Sequence, residues 1–173
     1  EIKLIIGIRD KIRSGAKRDL RKLKKLGVKN LIMLSGDNQG TVDLVAGKLG
    51  LTEAHGNMLP EDKADYIKKL ISKGKKVAFV GDGINDSPSL ALAHIGIAMG
   101  GGTDVAIEAA DITIMGSDLT QVAQSIELSR KTLGTIKMNL FWAFLYNTIG
   151  IPIAALGFLN PMIAGAAMAA SSV

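Results

Sequence analysis

Cysteine is absent from the 173-residue sequence, which removes disulfide scaffolds and cysteine-based zinc sites and fits a reducing cytosol. The 20 glycines follow no three-residue period, so a collagen-like chain is excluded. Aromatic side chains make up only 4% of the sequence, and the basic stretch from Arg9 to Lys29 contains none on which a nucleic-acid base would stack. No Gly-Lys-Ser/Thr is present for a P-loop, and Gly81 to Asp86 lacks the third glycine of a dinucleotide loop. The largest deficit is of charge: all 21 basic and 16 acidic residues lie at or before Lys137, leaving Met138 to Val173 uncharged.

What remains is enough for one well-buried domain of about 150 residues plus an appendage. Abundant Ile, Val and Leu exclude intrinsic disorder. The net charge of +5 is concentrated between Arg9 and Lys29, where ten basic residues face Asp10 and Asp19. Ser14 to Leu26 reads as a helix with Leu20, Leu23 and Leu26 near one stripe, so those cations occupy a solvated outer face and no nucleic-acid partner is expected.

Short apolar runs recur at Ile2–Ile8, Asn30–Leu34, Lys76–Val80, Ile95–Met99 and Ile112–Met115. Their continuous apolar character predicts parallel strands covered on both faces. Helical spacing lies between them at Ser14–Leu26, Gln39–Leu49, Glu61–Ser72 and Asp86–Ala93, giving a doubly wound α/β sheet. Ligands of such a sheet gather at the carboxyl ends of its strands. Ser35-Gly36-Asp37-Asn38 follows one run, Gly81-Asp82-Gly83-Ile84-Asn85-Asp86 follows another, and Lys63 sits in the first turn of the helix begun by Pro60-Glu61-Asp62.

Asp82, Asp86 and the Asn85 amide form an oxygen-rich set suited to Mg²⁺, provided the glycines at 81 and 83 let the backbone turn tightly. The plainer reading makes Gly-Asp-Gly a turn and Asp86 a helix N-cap. Ser35 and Gly36 offer a hydroxyl and an unobstructed N–H to phosphoryl oxygens, and Lys63 offers neutralising charge. Together these groups point to Mg²⁺-dependent phosphoryl transfer, which needs positioning and charge neutralisation more than covalent machinery. Only Asp37 and His55 stand as candidate nucleophile or base, neither with an identifiable supporting partner. Gly100-Gly101-Gly102-Thr103-Asp104 reads as a loop that lets the chain turn into a helix over Thr103–Ala109.

Residues 138–159 are long enough, at about 33 Å as a helix, to cross a bilayer. Arg130, Lys131 and Lys137 before them set the α/β domain on the cytoplasmic side. No cleavable signal peptide is expected at the start. Leu119, Val122, Ile126, Leu133 and Ile136 predict a stalk helix entering the membrane, started by a capping box of Asp118 and Gln121. Gly150 and Pro152 are expected to interrupt the span, and a second span is expected to begin within 161–173. The domain limits are therefore 1–117, 118–137, 138–159 and 161–173.

These residues resemble the C-terminal part of a P-type ATPase of the copper-transporting, heavy-metal branch. The likeness rests on Ser35-Gly36-Asp37-Asn38, Pro60 with Lys63, Gly81-Asp82-Gly83-Ile84-Asn85-Asp86-Ser87-Pro88 and Gly102-Thr103-Asp104-Val105-Ala106, in the family's order and spacing. It implies a phosphorylation domain of the haloacid-dehalogenase type, in which an aspartate is phosphorylated by ATP and then hydrolysed. By that likeness Asp82 binds Mg²⁺ with Asp86 and Asn85 completing the acidic loop. Lys63 contacts the aspartyl-phosphate, and Ser35 with Gly36, beside Asp37, holds its oxygens. Asp10 and Arg13 fall in the segment linking the phosphorylation and nucleotide-binding domains.

The resemblance also makes Tyr146, Asn147, Met168 and Ser172 candidate Cu(I) ligands, with Ag(I) a fellow substrate and another heavy metal the next alternative. Ser35 stands where the family usually has Thr, and His94 where it usually has an acidic residue. The Asp-Lys-Thr-Gly-Thr motif that carries the phosphorylated aspartate is not in this sequence. The implied partners are accordingly the pump's nucleotide-binding and actuator domains, its earlier membrane spans, the lipid bilayer and a copper chaperone. A membrane-anchored phosphatase of the same fold and a non-catalytic truncated pump relative are the competing readings.

Overall fold

Strands too short to stand alone are held here by helices packed across them, and every strand pair among the described residues is parallel. The computed structural model describes residues 12–100 and 103–156, and Cα packing divides the chain into two units, Glu1–Ser125 and Ile126–Val173. The order is α1 (Ala16–Lys25), β1 (Ile32–Leu34), α2 (Gln39–Leu49), β2 (Glu53–His55), α3 (Pro60–Ser72), β3 (Ala78–Gly81), a 3-10 turn (Ile84–Asp86), α4 (Ser87–Leu92), β4 (Ile95–Met99), α5 (Asp104–Ala109), β5 (Ile112–Ile114) and α6 (Leu119–Ala155).

The alternation of strand and helix is as expected, with two differences, and one expected strand is not described. Among the described residues the strands form two sheets, β1-β2 and β3-β4-β5, rather than one. The run Ile2–Ile8 lies outside the described residues. Strand β2 has no counterpart among the apolar runs, because Glu-Ala-His is not one; it becomes a strand by pairing with β1, Ile32 opposite Glu53 and Leu34 opposite His55.

The core of the first unit gathers where α3 and α4 meet the three-stranded sheet. Ile67 of α3, Leu90 of α4 and Ile97, Ala98 and Met99 of β4 are buried. Burying a Leu or Ile contributes about 1.5–3 kcal/mol before entropy is counted. A Cβ at Gly96 would lie 2.5 Å from the Leu90 carbonyl oxygen, so α4 crosses β4 closely only because glycine stands there. Helix α1 turns Leu20 and Leu23 inward and its cations outward, as the stripe of leucines predicts.

Helix α6 starts differently from the capping box expected of Asp118 and Gln121. The Asp118 carboxylate accepts from the Thr120 N–H and hydroxyl, both at 3.0 Å, while Gln121 Oε1 accepts from the Gly116 N–H at 3.2 Å. Those two bonds from Thr120 hold the Asp118 carboxyl below its ordinary pKa. Val122 and Ala123 are then buried in the first unit.

In the second unit the helix carries exposed apolar side chains, among them Leu133, Phe141, Phe144 and Ile151. Gly150 and Pro152 do not interrupt it: Pro152 lies inside α6, and the Leu156 N–H still donates to the Pro152 carbonyl at 3.0 Å. Proline there lacks the N–H that would bond the Thr148 carbonyl, so one bond of the helix ladder is missing. The expected bilayer span at 138–159 is helical as far as Ala155, yet no helix among the described residues is long and apolar enough to cross a membrane. Asn139, Tyr146, Asn147, Thr148 and Pro152 dilute the apolar residues of that segment. Residues 157–173, including the expected second span, lie outside the described residues.

Candidate active site

The loop after β1 folds on its own serine. The Ser35 N–H donates to the His55 carbonyl at 2.9 Å, carrying the β1–β2 ladder one residue past the strand. Its hydroxyl donates to Asp37 Oδ2 at 3.0 Å and accepts from the Asp37 N–H at 3.2 Å, closing a short turn. Asn38 then caps α2, its side chain accepting from the Thr41 N–H at 2.9 Å. Ser35 is half-buried, whereas Gly36 and Asp37 are exposed at the strand end.

A second loop ties this turn to the helix bearing Lys63. The Asn57 N–H donates to the Asp37 carbonyl at 2.6 Å and the Met58 N–H to the Ser35 carbonyl at 3.0 Å. Asn57 adopts a φ of 53°, the left-handed conformation that asparagine tolerates better than most residues. At Gly56 an added Cβ would lie 2.7 Å from Gln39 Cα, so the loop approaches the start of α2 by lacking a side chain. Pro60 begins α3 and Asp62 Oδ2 accepts from the Leu59 N–H at 2.9 Å.

The loop after β3 delivers the partner of Lys63. The 3-10 turn Ile84–Asp86, with the Asp86 N–H donating to the Gly83 carbonyl at 3.0 Å, brings Asp86 back against Gly81. A Cβ at Gly81 would lie 2.7 Å from both Asp86 Cβ and Oδ2. Neither Gly81 nor Gly83 has a positive φ. Gly81 therefore serves by leaving room for the Asp86 carboxyl, not by making a tight turn as its sequence context suggests. Asp86 is the residue before α4, but its side chain makes no cap bond; its Oδ1 accepts from Lys63 Nζ at 2.8 Å. The two side chains are 14% and 15% exposed, so bulk solvent screens the pair weakly.

Asp82 and Asn85 are exposed at the same strand end, and Asp82 makes no side-chain hydrogen bond among the described residues. The donor set is all oxygen, with two carboxylates and an amide. No group of three or more His, Cys, Asp or Glu that could hold a metal occurs among the described residues. That set fits Mg²⁺, which takes one or two carboxylates and keeps water and substrate oxygens for the rest. Gly81, left clear for Asp86, is the structural feature that keeps the second carboxylate in the loop.

The other anticipated residues are distributed as follows. Lys63 and Asp86 are in contact, as are Ser35 and Asp37; among the described residues no hydrogen bond joins the two pairs, which are linked through the 56–59 loop. The Arg13 guanidinium donates to the Ser117 carbonyl at the entry to α6. Asp10, Met168 and Ser172 lie outside the described residues. Tyr146 and Asn147 are exposed on α6, with the Tyr146 ring 5.9 Å from that of Trp142. The chain turns into a helix after the Gly100–Asp104 loop as expected, with α5 beginning at Asp104 and Thr103 as its cap. Sequence reasoning misses Glu53 and Tyr66, whose side chains meet at 2.5 Å beside the His55 ring. Their only sequence signal is a tyrosine on a helix face that a leucine or isoleucine would fill equally well.

The sequence model of the haloacid dehalogenase-like hydrolases matches residues 1–94. Over 171 residues the chain is 54% identical to the probable copper-importing P-type ATPase A of Enterococcus hirae, covering 98% of this chain and 23% of that protein. It is 52% identical over 169 residues to the copper-exporting P-type ATPase of Staphylococcus aureus strain JH9, covering 98% of this chain and 21% of that protein. Among solved structures, a zinc-transporting PIB-type ATPase superposes with a TM-score of 0.84 at 39% identity, over 95% of this chain and 27% of that one. The chain thus spans less than a quarter of the length of these curated relatives. It belongs to the haloacid dehalogenase-like hydrolase family, and within that family it is homologous to the heavy-metal P-type ATPases.

Proposed function

We propose that this chain supplies the Mg²⁺/aspartyl-phosphate half-site, and part of the membrane metal path, of an ATP-driven pump that exports Cu(I), with Ag(I) as a fellow substrate. The observation that carries the reading is the Lys63–Asp86 pair. A lysine at the start of one helix and the carboxylate after β3 meet at 2.8 Å, and the carboxylate forgoes the helix cap it could have made.

The residues divide the work by their chemistry. The phosphorylated aspartate and the nucleotide-binding domain belong to parts of the pump beyond this sequence. Lys63 offsets the charge of the transferred phosphoryl group, while the Ser35 hydroxyl and the Gly36 N–H donate hydrogen bonds to its oxygens. Ser35 has one hydroxyl proton and gives it to Asp37 in the free site, so it turns from that carboxylate to the phosphoryl oxygen when phosphate is present. Asp82, Asp86 and Asn85 would hold Mg²⁺, which when bound draws off charge from the phosphoryl oxygens. Arg13, held to Ser117, and Asp10 belong to the link with the nucleotide-binding domain.

In the uncharged segment, Tyr146, Asn147, Met168 and Ser172 are the proposed ligands of the transported ion, Met168 contributing a soft sulfur suited to Cu(I). The exposed apolar face of α6 beyond Lys137 is read as the surface covered by lipid and the remaining spans, with the α/β unit on the cytoplasmic side. A copper chaperone would deliver the ion. Because one relative is named an importer and another an exporter, the direction of transport is part of the test.

The test is metal-stimulated ATP hydrolysis and transport by the complete pump in oriented vesicles. Stimulation by Cu(I) and Ag(I), lost in Asp82→Asn and Lys63→Ala, is the expected result; stimulation by Zn²⁺ and not Cu(I) overturns the substrate assignment. Accumulation on the cytoplasmic side overturns export.

A further inference from the structure

The hydrogen bond between Tyr66 and Glu53 lies outside the proposed phosphate site, yet it joins the two elements that carry that site. Glu53 and His55, two apart on β2, project to the same side of the strand. The Tyr66 hydroxyl, on α3, donates to Glu53 Oε2 at 2.5 Å. The Tyr66 ring lies 4.7 Å from the His55 ring at an interplanar angle of 49°, and His55 Nε2 sits 3.5 Å from the same Glu53 oxygen. These side chains line a groove of about 430 Å³ whose wall includes none of Ser35, Lys63, Asp82 or Asp86, so the cluster stands apart from the proposed phosphate contacts.

Each end of this bond is one step from a proposed phosphate contact. On the strand side, β2 pairs with β1, and the His55 carbonyl accepts the Ser35 N–H at 2.9 Å. On the helix side, Tyr66 follows Lys63 by one near-turn of α3, a rise of about 4.5 Å. Among the described residues, the other ties between the Ser35 turn and the start of α3 are the backbone bonds of the 56–59 loop. A phenol donating to a carboxylate makes a charge-assisted bond, stronger and more directional than a neutral one.

We propose that Tyr66 and Glu53 are positioning residues of the phosphoryl-transfer site: their bond fixes α3 against the β1–β2 sheet and so sets Lys63 relative to Ser35. This rests on the assignment of Lys63 and Ser35 as phosphate contacts. Small displacements of such groups are costly to rate even when binding elsewhere is intact.

The experiment uses the complete pump, with ATP turnover, orthovanadate inhibition and thermal midpoint measured on each variant. Tyr66→Phe keeps the ring against His55 and removes only the hydroxyl. The expected result is a fall of about tenfold in kcat with KM for ATP unchanged, together with a weakening of orthovanadate inhibition of similar size. Glu53→Ala should match it, Glu53→Gln, which keeps an acceptor oxygen, should recover most of the loss, and Tyr66→Phe combined with Glu53→Ala should be no worse than either alone. If one variant fails to fold, the remaining Glu53 or Tyr66 variants carry the same comparison. Wild-type kcat and vanadate sensitivity in Tyr66→Phe or Glu53→Ala overturn the proposal. Wild-type vanadate sensitivity in Lys63→Ala instead overturns the underlying site assignment, so the two failures are distinguishable.

Discussion

Lys63 Nζ and Asp86 Oδ1 lie 2.8 Å apart across 23 residues of sequence, both side chains largely withdrawn from solvent. Removing either partner strands the other's charge in a place where water reaches it poorly. Lys63→Ala and Asp86→Ala should each cost about 1.5–3 kcal/mol, the range for a hydrogen bond to a charged group. Urea unfolding monitored by circular dichroism measures this. The double variant should be less destabilised than the sum of the two, because neither charge is then left unpaired.

The two glycines of the Gly-Asp-Gly segment are expected to respond differently to the same substitution. Gly81→Ala sets a rigid Cβ 2.7 Å from Asp86 Cβ and Oδ2, forcing that side chain to move. The expected outcome is about 1–3 kcal/mol of destabilisation, typical of overpacking, and weaker Mg²⁺ binding by calorimetry. At Gly83 the only neighbour among the described residues within reach of a Cβ is the Asn85 nitrogen at 4.0 Å, and Gly83→Ala should leave both quantities near wild type. Equal effects at the two positions would contradict this steric account.

The difference between those glycines marks how far the sequence can be read. Continuous apolar runs announce β3, β4 and β5, although only β4 is buried along most of its length, since Ala78 of β3 and Thr113 of β5 are exposed; the spacing in Gln39–Leu49 announces α2 with its ends intact. Strand β2 carries no such signal, since its conformation is imposed by β1 rather than by its own side chains. Strand-end polarity singles out Ser35, Asp82 and Asp86 as candidates, and Lys63 stands out only by its place in the first turn of the helix begun by Pro60. Whether Asp86 caps α4 or reaches Lys63 depends on where α3 passes, which is a tertiary fact. Tyr66 and Glu53 are invisible for the same reason: they come together only after β2 has formed.

Ser89 is fully buried in α4, and its hydroxyl has no hydrogen-bond partner among the described residues. An unsatisfied buried hydroxyl costs free energy that a methyl group does not. Ser89→Ala should therefore raise stability, by about 0.5–1 kcal/mol, an amount that denaturant midpoints at constant m-value detect. Loss of stability in this variant would mean that the hydroxyl is satisfied in solution.

Tyr66 and Glu53 also give the fold a defined response at alkaline and acid extremes. Burial first, and then the bond to Glu53, push the Tyr66 phenol up from its ordinary 10.0 to about 12. A group whose pKa is higher in the folded state stabilises it fully below its unfolded pKa, and that contribution is lost as the pH rises through the folded value. The Tyr66 contribution should therefore hold up to about pH 10 and vanish between about 10 and 12. Glu53 behaves oppositely: the Tyr66 hydrogen bond, followed by the His55 imidazole 3.5 Å away, holds its carboxyl below the ordinary 4.5. Its contribution is present above that ordinary value and disappears as the pH falls through the lower, folded one. Tyrosinate absorbance of the wild type minus that of Tyr66→Phe isolates the first transition. In that variant Glu53 loses its principal hydrogen bond, so its acid transition should move toward the ordinary carboxylate value. A wild-type acid limb in Tyr66→Phe would show that the bond is not what holds Glu53 ionised.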